Sequence, residues 1–127
     1  MSVGYKDLVA DAEQRVVAIS AEEAIATAAS PDVVFIDLRD VRELKREGKI
    51  PGAFHCPRGL LEFWIDPECQ YHKPVFAEKK RFIFYCNLGW RSALGADIAQ
   101  KMGLDNVCHL HGGFEAWKAA GGVVEEK

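Results

Sequence analysis

Apolar residues recur along this chain in two rhythms. Short runs rich in β-branched and aromatic side chains, Val16 to Ile19, Val33 to Leu38, Ala53 to Cys56, Arg81 to Cys86 and Val107 to Leu110, read as five strands. Between them apolar residues return every three or four positions, the spacing of a helix with one buried face. Ser20, followed three positions later by Glu23, forms a capping box for a helix that runs through Ala24, Ile25 and Ala28 and stops at Ser30-Pro31. Helical patterns over Val41 to Glu47, Ser92 to Met102 and Phe114 to Ala120 end at Gly48, Gly103 and Gly121-Gly122. Leu8, Val9 and Ala12 predict a further amphipathic helix over Tyr5 to Arg15, so residues 1–15 read as an N-terminal helical extension and residues 16–127 as the domain. Leu60 to Ile65 is an apolar helical stretch, followed by a Pro-bounded loop from Asp66 to Pro74.

The runs Val33-Val34-Phe35-Ile36 and Phe82-Ile83-Phe84-Tyr85 do not alternate with polar residues, the pattern of strands covered on both faces by helices. An open α/β sandwich follows. In such sheets ligands sit beyond the C-terminal ends of the strands, which directs attention to Asp37 to Arg39, Cys56 to Arg58, Cys86 to Arg91 and His111 to Gly113.

Length and charge narrow the function classes. The 127 residues, 49% hydrophobic and 28% charged, fit one compact domain. With 16 Lys+Arg against 19 Asp+Glu the formal charge is −3, so there is no general cationic field to hold nucleic acid. The apolar runs fall well short of the roughly 20 residues that span a bilayer, and the N-terminus lacks a signal-peptide pattern, so the expectation is a cytoplasmic protein with no membrane partner. Cys56, Cys69, Cys86 and Cys108 are irregularly spaced, and reduced thiols are the expected state.

The loop Cys86-Asn87-Leu88-Gly89-Trp90-Arg91-Ser92 leaves an apolar strand and enters a helix within a handful of residues. That forces a tight turn around the sulfur, with Gly89 permitting the bend. Successive N–H groups in such a turn converge on a concavity, and the following helix adds its positive end, so the turn predicts a Cys86 thiolate near neutral pH. Arg91 supplies a fork of donors for an oxyanion at the rim. Cys108, inside Val107-Cys108-His109-Leu110 with no such turn after it, reads as core.

Together with this loop, Ile36-Asp37-Leu38-Arg39, Ile50-Pro51-Gly52-Ala53-Phe54-His55-Cys56-Pro57 and Leu110-His111-Gly112-Gly113-Phe114-Glu115-Ala116-Trp117 stand in an order that resembles the rhodanese-like sulfurtransferases, from Val16 to Val123. The resemblance implies a three-layer α/β/α sandwich with a five-stranded, mainly parallel sheet. It implies that Cys86 takes a sulfane sulfur from thiosulfate or another persulfide donor, becomes a persulfide, and passes the outer sulfur to cyanide, a thiol or a protein, with no cofactor. Asn87, Leu88, Gly89, Trp90, Arg91 and Ser92 would hold the persulfide, Arg58 would help an anionic donor dock, and Asp37 and Arg39 would brace the loop as a scaffold. Asn87, Leu88 and Trp90 are uncharged where thiosulfate-devoted members often carry cations, so a low-molecular-weight or protein persulfide suits the rim better than a dianion. Lys49 stands where the family often has histidine before Ile-Pro-Gly.

Two rival readings remain beside it: a slow or non-catalytic persulfide carrier that binds a partner, and a phosphatase-like or arsenate-reducing enzyme. The second is disfavoured because those relatives use a Cys-x5-Arg loop, whereas Cys86 to Arg91 is Cys-x4-Arg, a smaller ring of amides. His55, Cys56, Cys69, His72, His109 and His111 are zinc-ligand types, but their spacing lacks the paired halves of a metal site, and no metal is expected. Phe63 and Trp64 are expected to pack on the sheet and Trp117 in the core; His111, at a strand end, reads as a solvated or hydrogen-bonded histidine ahead of a pocket-lining one, and Cys56, at another strand end, is a candidate resolving thiol.

Overall fold

The computed structural model describes residues 2–127. Five strands, β1 (Val17–Ile19), β2 (Val33–Asp37), β3 (Phe54–His55), β4 (Arg81–Tyr85) and β5 (Val107–Leu110), form one sheet in the order β1-β5-β4-β2-β3. Every pairing is parallel, with Phe35 opposite Ile83 and Ile83 opposite Cys108. The expected α/β fold with a mainly parallel five-stranded sheet is thus present, and the sheet is parallel throughout.

Six α-helices flank it: α1 (Tyr5–Glu13), α2 (Ala21–Thr27), α3 (Val41–Glu47), α4 (Leu61–Ile65), α5 (Trp90–Lys101) and α6 (Gly113–Ala119). The strands bury residues on both faces, which is why their sequences do not alternate. Ile36, Leu38, Phe82, Phe84 and Val107 meet Ala96 and Ala99 of α5 and Leu61 and Ile65 of α4. On the other face Phe35, Ile83, Tyr85 and Leu110 meet Ala21 and Ala24 of α2 and Phe114 and Trp117 of α6, with Phe35 edge-on to Trp117. The Ser20–Glu23 capping box forms as its sequence predicts, Ser20 Oγ accepting from the Glu23 N–H at 3.1 Å.

Three local expectations shift. The third strand shrinks to two residues, because after Phe54–His55 the chain turns at Pro57 into a 3-10 turn, Arg58–Leu60. Helix α5 begins at Trp90, two residues before Ser92, so Trp90 and Arg91 belong to its first turn. Phe63 is 54% exposed rather than packed on the sheet, while Trp64 is half-buried, edge-on to Phe54 and beneath the Lys73 ammonium. No helix among the described residues is long and apolar enough to cross a membrane.

Candidate active site

Cys86 follows the last residue of β4, the central strand, and the chain turns at once into α5. Gly89 makes the turn possible: it caps α5 at φ 103°, in the left-handed region that favours glycine. In that conformation its N–H donates to Cys86 Sγ at 3.2 Å, and Ser92 Oγ approaches the same sulfur at 3.7 Å. Cys86 is 1% exposed, and its sulfur faces a backbone N–H and a hydroxyl oxygen at the positive end of a twelve-residue helix.

The segment after β5 braces this turn from below. The Phe114 and Glu115 N–H groups donate to the carbonyls of Cys86 and Asn87 at 2.8 and 3.2 Å. A side chain at Gly113 would collide with the Asn87 and Cys86 carbonyls, so the pair Gly112-Gly113 is dictated by the closeness of the two loops.

A second brace runs through Asp37 and Arg39, both wholly buried. The Arg39 guanidinium donates to Asp37 Oδ1 and Oδ2 at 3.0 and 2.8 Å and to the Gly48 carbonyl at 2.8 Å, and it lies 4.4 Å over the Phe114 ring. Burial works against the Arg39 charge, but Asp37 overcomes it and raises the pKa. The Tyr85 hydroxyl donates to Asp37 Oδ2 at 2.7 Å, and the Leu38 N–H donates to the Tyr85 carbonyl. Burial, reinforced by Asp37, pushes the Tyr85 phenol up and keeps it a donor. The end of β2 is thus tied to the residue next to Cys86 by groups that never meet solvent.

At the front of the loop a small opening of about 130 Å³ is lined by Glu43, Cys86, Asn87, Leu88, Trp90 and Arg91. Arg91 does not present a free fork there. Its Nη1 and Nη2 donate to the two carboxylate oxygens of Glu43, from α3, at 2.7 and 3.0 Å. The Arg91 hydrogen bond holds the Glu43 carboxyl below the usual range, and Glu43 correspondingly raises Arg91. Leu88 and Trp90 are about half exposed at the rim, and the Trp90 ring lies 4.9 Å from that of Tyr5 on α1. Asn87 Oδ1 is buried without a partner.

Of the residues expected at the site, Cys86, Asn87, Leu88, Trp90 and Arg91 line this opening, with Gly89 and Ser92 against the sulfur. Asp37 and Arg39 lie beneath it, paired with each other and held by the Tyr85 hydroxyl and the Gly48 carbonyl. Arg58 does not join them: it pairs with Glu62 at 2.9 Å and is absent from the lining of the opening. Cys56 sits in the core, and burial pushes its thiol up to about 12. Cys108 is core as expected, its thiol likewise raised by burial. Larger hollows of about 390, 440 and 490 Å³ lie elsewhere, and none includes Cys86 or its loop.

A model of the rhodanese-like domain matches residues 20–120, which span β2 to β5, the loop and both braces. The chain belongs to the rhodanese-like domain family. Among curated relatives, the mouse thiosulfate sulfurtransferase/rhodanese-like domain-containing protein 3 is 30% identical over 93 residues, 69% of this chain and 59% of that one. This rhodanese-like chain therefore spans about three fifths of the mouse protein's length. A Rhodopseudomonas palustris protein of unknown function, described as a possible tyrosine phosphatase, is 50% identical with a TM-score of 0.95, covering 98% of this chain and 96% of its own. A thiosulfate sulfurtransferase of Pseudomonas aeruginosa is 27% identical with a TM-score of 0.71, over 91% of this chain and 21% of that one. The family relates this rhodanese-like domain to sulfurtransferases.

The residues that sequence reasoning missed are Glu43, Tyr85 and His109. Each comes from a different element: Glu43 and His109 meet the loop only in the fold, and Tyr85, next to Cys86 in the chain, meets its partner Asp37 only there. The Asp40-x-x-Glu43 capping box is a local signal that explains why Glu43 sits in the first turn of α3.

Proposed function

We infer that this protein is a sulfurtransferase of the rhodanese type, in which Cys86 carries sulfane sulfur as a persulfide. The observation that carries this reading is the Gly89 N–H aimed at Cys86 Sγ, 3.2 Å away, inside a Cys-x4-Arg turn whose ring suits a single sulfur atom. The Cys86 thiolate attacks the outer sulfur of the donor. A sulfur–sulfur bond forms to Cys86, the donor's own bond to that sulfur breaks, and its electron pair leaves with the donor, as a thiolate from an organic persulfide or as sulfite from thiosulfate. A nucleophilic acceptor then attacks the outer sulfur and Cys86 departs as thiolate, so that one hard transfer becomes two easier ones.

The rim favours an organic or protein persulfide over the thiosulfate dianion. Arg91 is engaged by Glu43, Leu88 and Trp90 offer apolar surface, and the opening has no other cation in its lining. The phosphatase suggested for the Rhodopseudomonas neighbour fits less well, since a tetrahedral dianion needs the free arginine fork and the longer loop that this chain lacks.

The test is to incubate the protein with glutathione persulfide or with thiosulfate, remove the donor, and weigh the Cys86 peptide. A gain of about 32 Da that cyanide discharges is the expected result, larger with the persulfide. Repeated turnover marks an enzyme, whereas loading once without turnover marks a carrier. Hydrolysis of an aryl phosphate that disappears in Cys86→Ala would replace the sulfurtransferase reading.

A further inference from the structure

Behind the loop lies a buried group that sulfur transfer, as written above, leaves idle. His109 of β5 is 1% exposed, and its Nδ1 lies 3.1 Å from Ser92 Oγ, which in turn lies 3.7 Å from Cys86 Sγ. Its Nε2 is buried and has no hydrogen-bond partner among the described residues. His109 is among the residues around a rear cavity of about 180 Å³, with Val9 and Glu13 of α1, Leu88, Trp90 and His111. Leu88 and Trp90 line this cavity and the front opening alike, so they stand between the two. A buried nitrogen left unpaired costs stability, so its retention calls for an explanation.

We propose that Ser92 and His109 form a proton relay that takes the Cys86 thiol proton to His109, behind the loop, leaving the front opening to the sulfur donor. The proposal rests on Cys86 being the nucleophile. In the resting arrangement the thiol donates to Ser92 Oγ, and the Ser92 hydroxyl donates to the Nδ1 lone pair of a neutral His109. Each proton then moves one bond along: S–H and O–H break while a new O–H and an N–H form. Cys86 becomes a thiolate, Ser92 is again a hydroxyl, and His109 becomes an imidazolium. Its Nδ1–H now donates to Ser92, whose O–H points at the thiolate. The imidazolium keeps both ring protons, Nε2 being sealed from solvent, so the proton that leaves Cys86 is held on His109 and the balance is complete. His109 is therefore a positioning residue: it never touches substrate but sets which way the Ser92 hydroxyl points.

The charges around the ring agree with this direction. Burial lowers the His109 pKa and keeps the imidazole neutral as an acceptor, Glu13 on α1 pulls the other way and favours the transient imidazolium, and His111 after β5 opposes it. From the loop the ring meets Cys86 only through Ser92. Farther along α5, Asp97 is engaged by Arg15, and the register partners of His109, Ala18 on β1 and Phe84 on β4, carry no charge.

The test is the rate at which iodoacetamide alkylates Cys86, read on its peptide from about pH 5 to about pH 9, in the unaltered protein, His109→Asn and Ser92→Ala. Asparagine keeps a hydrogen-bond partner for Ser92 but cannot titrate, so it separates the relay from a merely structural role. The coupled pair gives a rate that rises in two steps with pH, and each variant gives one step, with alkylation near pH 7 slowed by about tenfold. If His109→Asn misfolds by its melting curve, Ser92→Ala decides alone. A two-step profile that survives in the folded variants, or a single step in the unaltered protein, overturns the relay while leaving Cys86 as nucleophile. A Cys86 that resists alkylation throughout overturns the nucleophile and the relay together.

Discussion

Cys56 and Cys86 end two strands of the same sheet edge, and both are sealed from solvent, at 0% and 1% exposure. The Cys56 sulfur meets the Pro57 carbonyl 3.8 Å away, an acceptor that gives a thiolate nothing, and burial above all pushes the thiol up to about 12, with Arg58 and Glu62 acting in opposite senses. Around Cys86 a backbone N–H and a hydroxyl face the sulfur. Equal burial therefore yields an inert thiol in one place and a candidate nucleophile in the other. What separates them is the turn that follows, a proline in the first case and a left-handed glycine opening a helix in the second.

The sharpest test of this contrast exchanges each thiol for a methyl group. Cys86→Ala is expected to abolish persulfide loading entirely, read as the missing mass gain on that peptide. Cys56→Ala is expected to retain loading and turnover while losing roughly 1–2 kcal/mol of stability in urea, from the small core cavity it leaves. Loading that persists in Cys86→Ala and vanishes in Cys56→Ala would reverse the assignment and make Cys56 more than a packing residue.

Asp37 touches both strand ends: its carbonyl accepts from the Cys56 N–H at 2.9 Å and its carboxylate from the Tyr85 hydroxyl. Asp37→Asn leaves the Arg39 charge uncompensated in the core, so a loss of roughly 3–5 kcal/mol is expected in chemical denaturation. The loop would lose order with it. A variant as stable as the unaltered protein would show that Arg39 finds enough support from the Gly48 carbonyl and the Phe114 ring. Gly89→Ala strikes the loop alone: at φ 103° a methyl group is strained, and it would come 3.4 Å from the Gly112 nitrogen. With the N–H turned away from the sulfur, loading should slow on the order of a hundredfold, with the circular dichroism spectrum unchanged.

The same contrast explains what could be read from the chain. Strand runs such as Phe82 to Tyr85 declare themselves because burial on both faces removes polar residues from consecutive positions. The Cys86 loop declares itself because its members are neighbours in sequence. The start of α5 escapes by two residues because its cap, Gly89, works through backbone conformation without a capping side chain, so Ser92 drew the boundary toward itself. Arg91 reads as a free fork because its partner Glu43 lies 48 positions away, and His109 reads as an isolated histidine because Ser92 is 17 positions away. Those pairings depend on the sheet order, which sets β2 and β5 on either side of β4, and a linear pattern does not express it.

The smallest expected effect concerns what the front opening admits. Glu43→Gln keeps the shape of the side chain but removes the charge that occupies Arg91, so thiosulfate should gain on an organic persulfide by roughly fivefold in kcat/KM, the scale of a partly exposed ion pair. Because the pair lowers the Glu43 pKa, its contribution is fully present above the ordinary carboxylate range and fades only as pH falls through the lowered value. Donor preference in the unaltered protein should therefore stay flat from about pH 5 to about pH 9 and drift toward thiosulfate only in stronger acid, while Glu43→Gln should show the thiosulfate gain at every pH. An unaltered preference in Glu43→Gln would mean that Arg91 serves to fix α3 against the loop, and that the rim's discrimination lies in Leu88 and Trp90 instead.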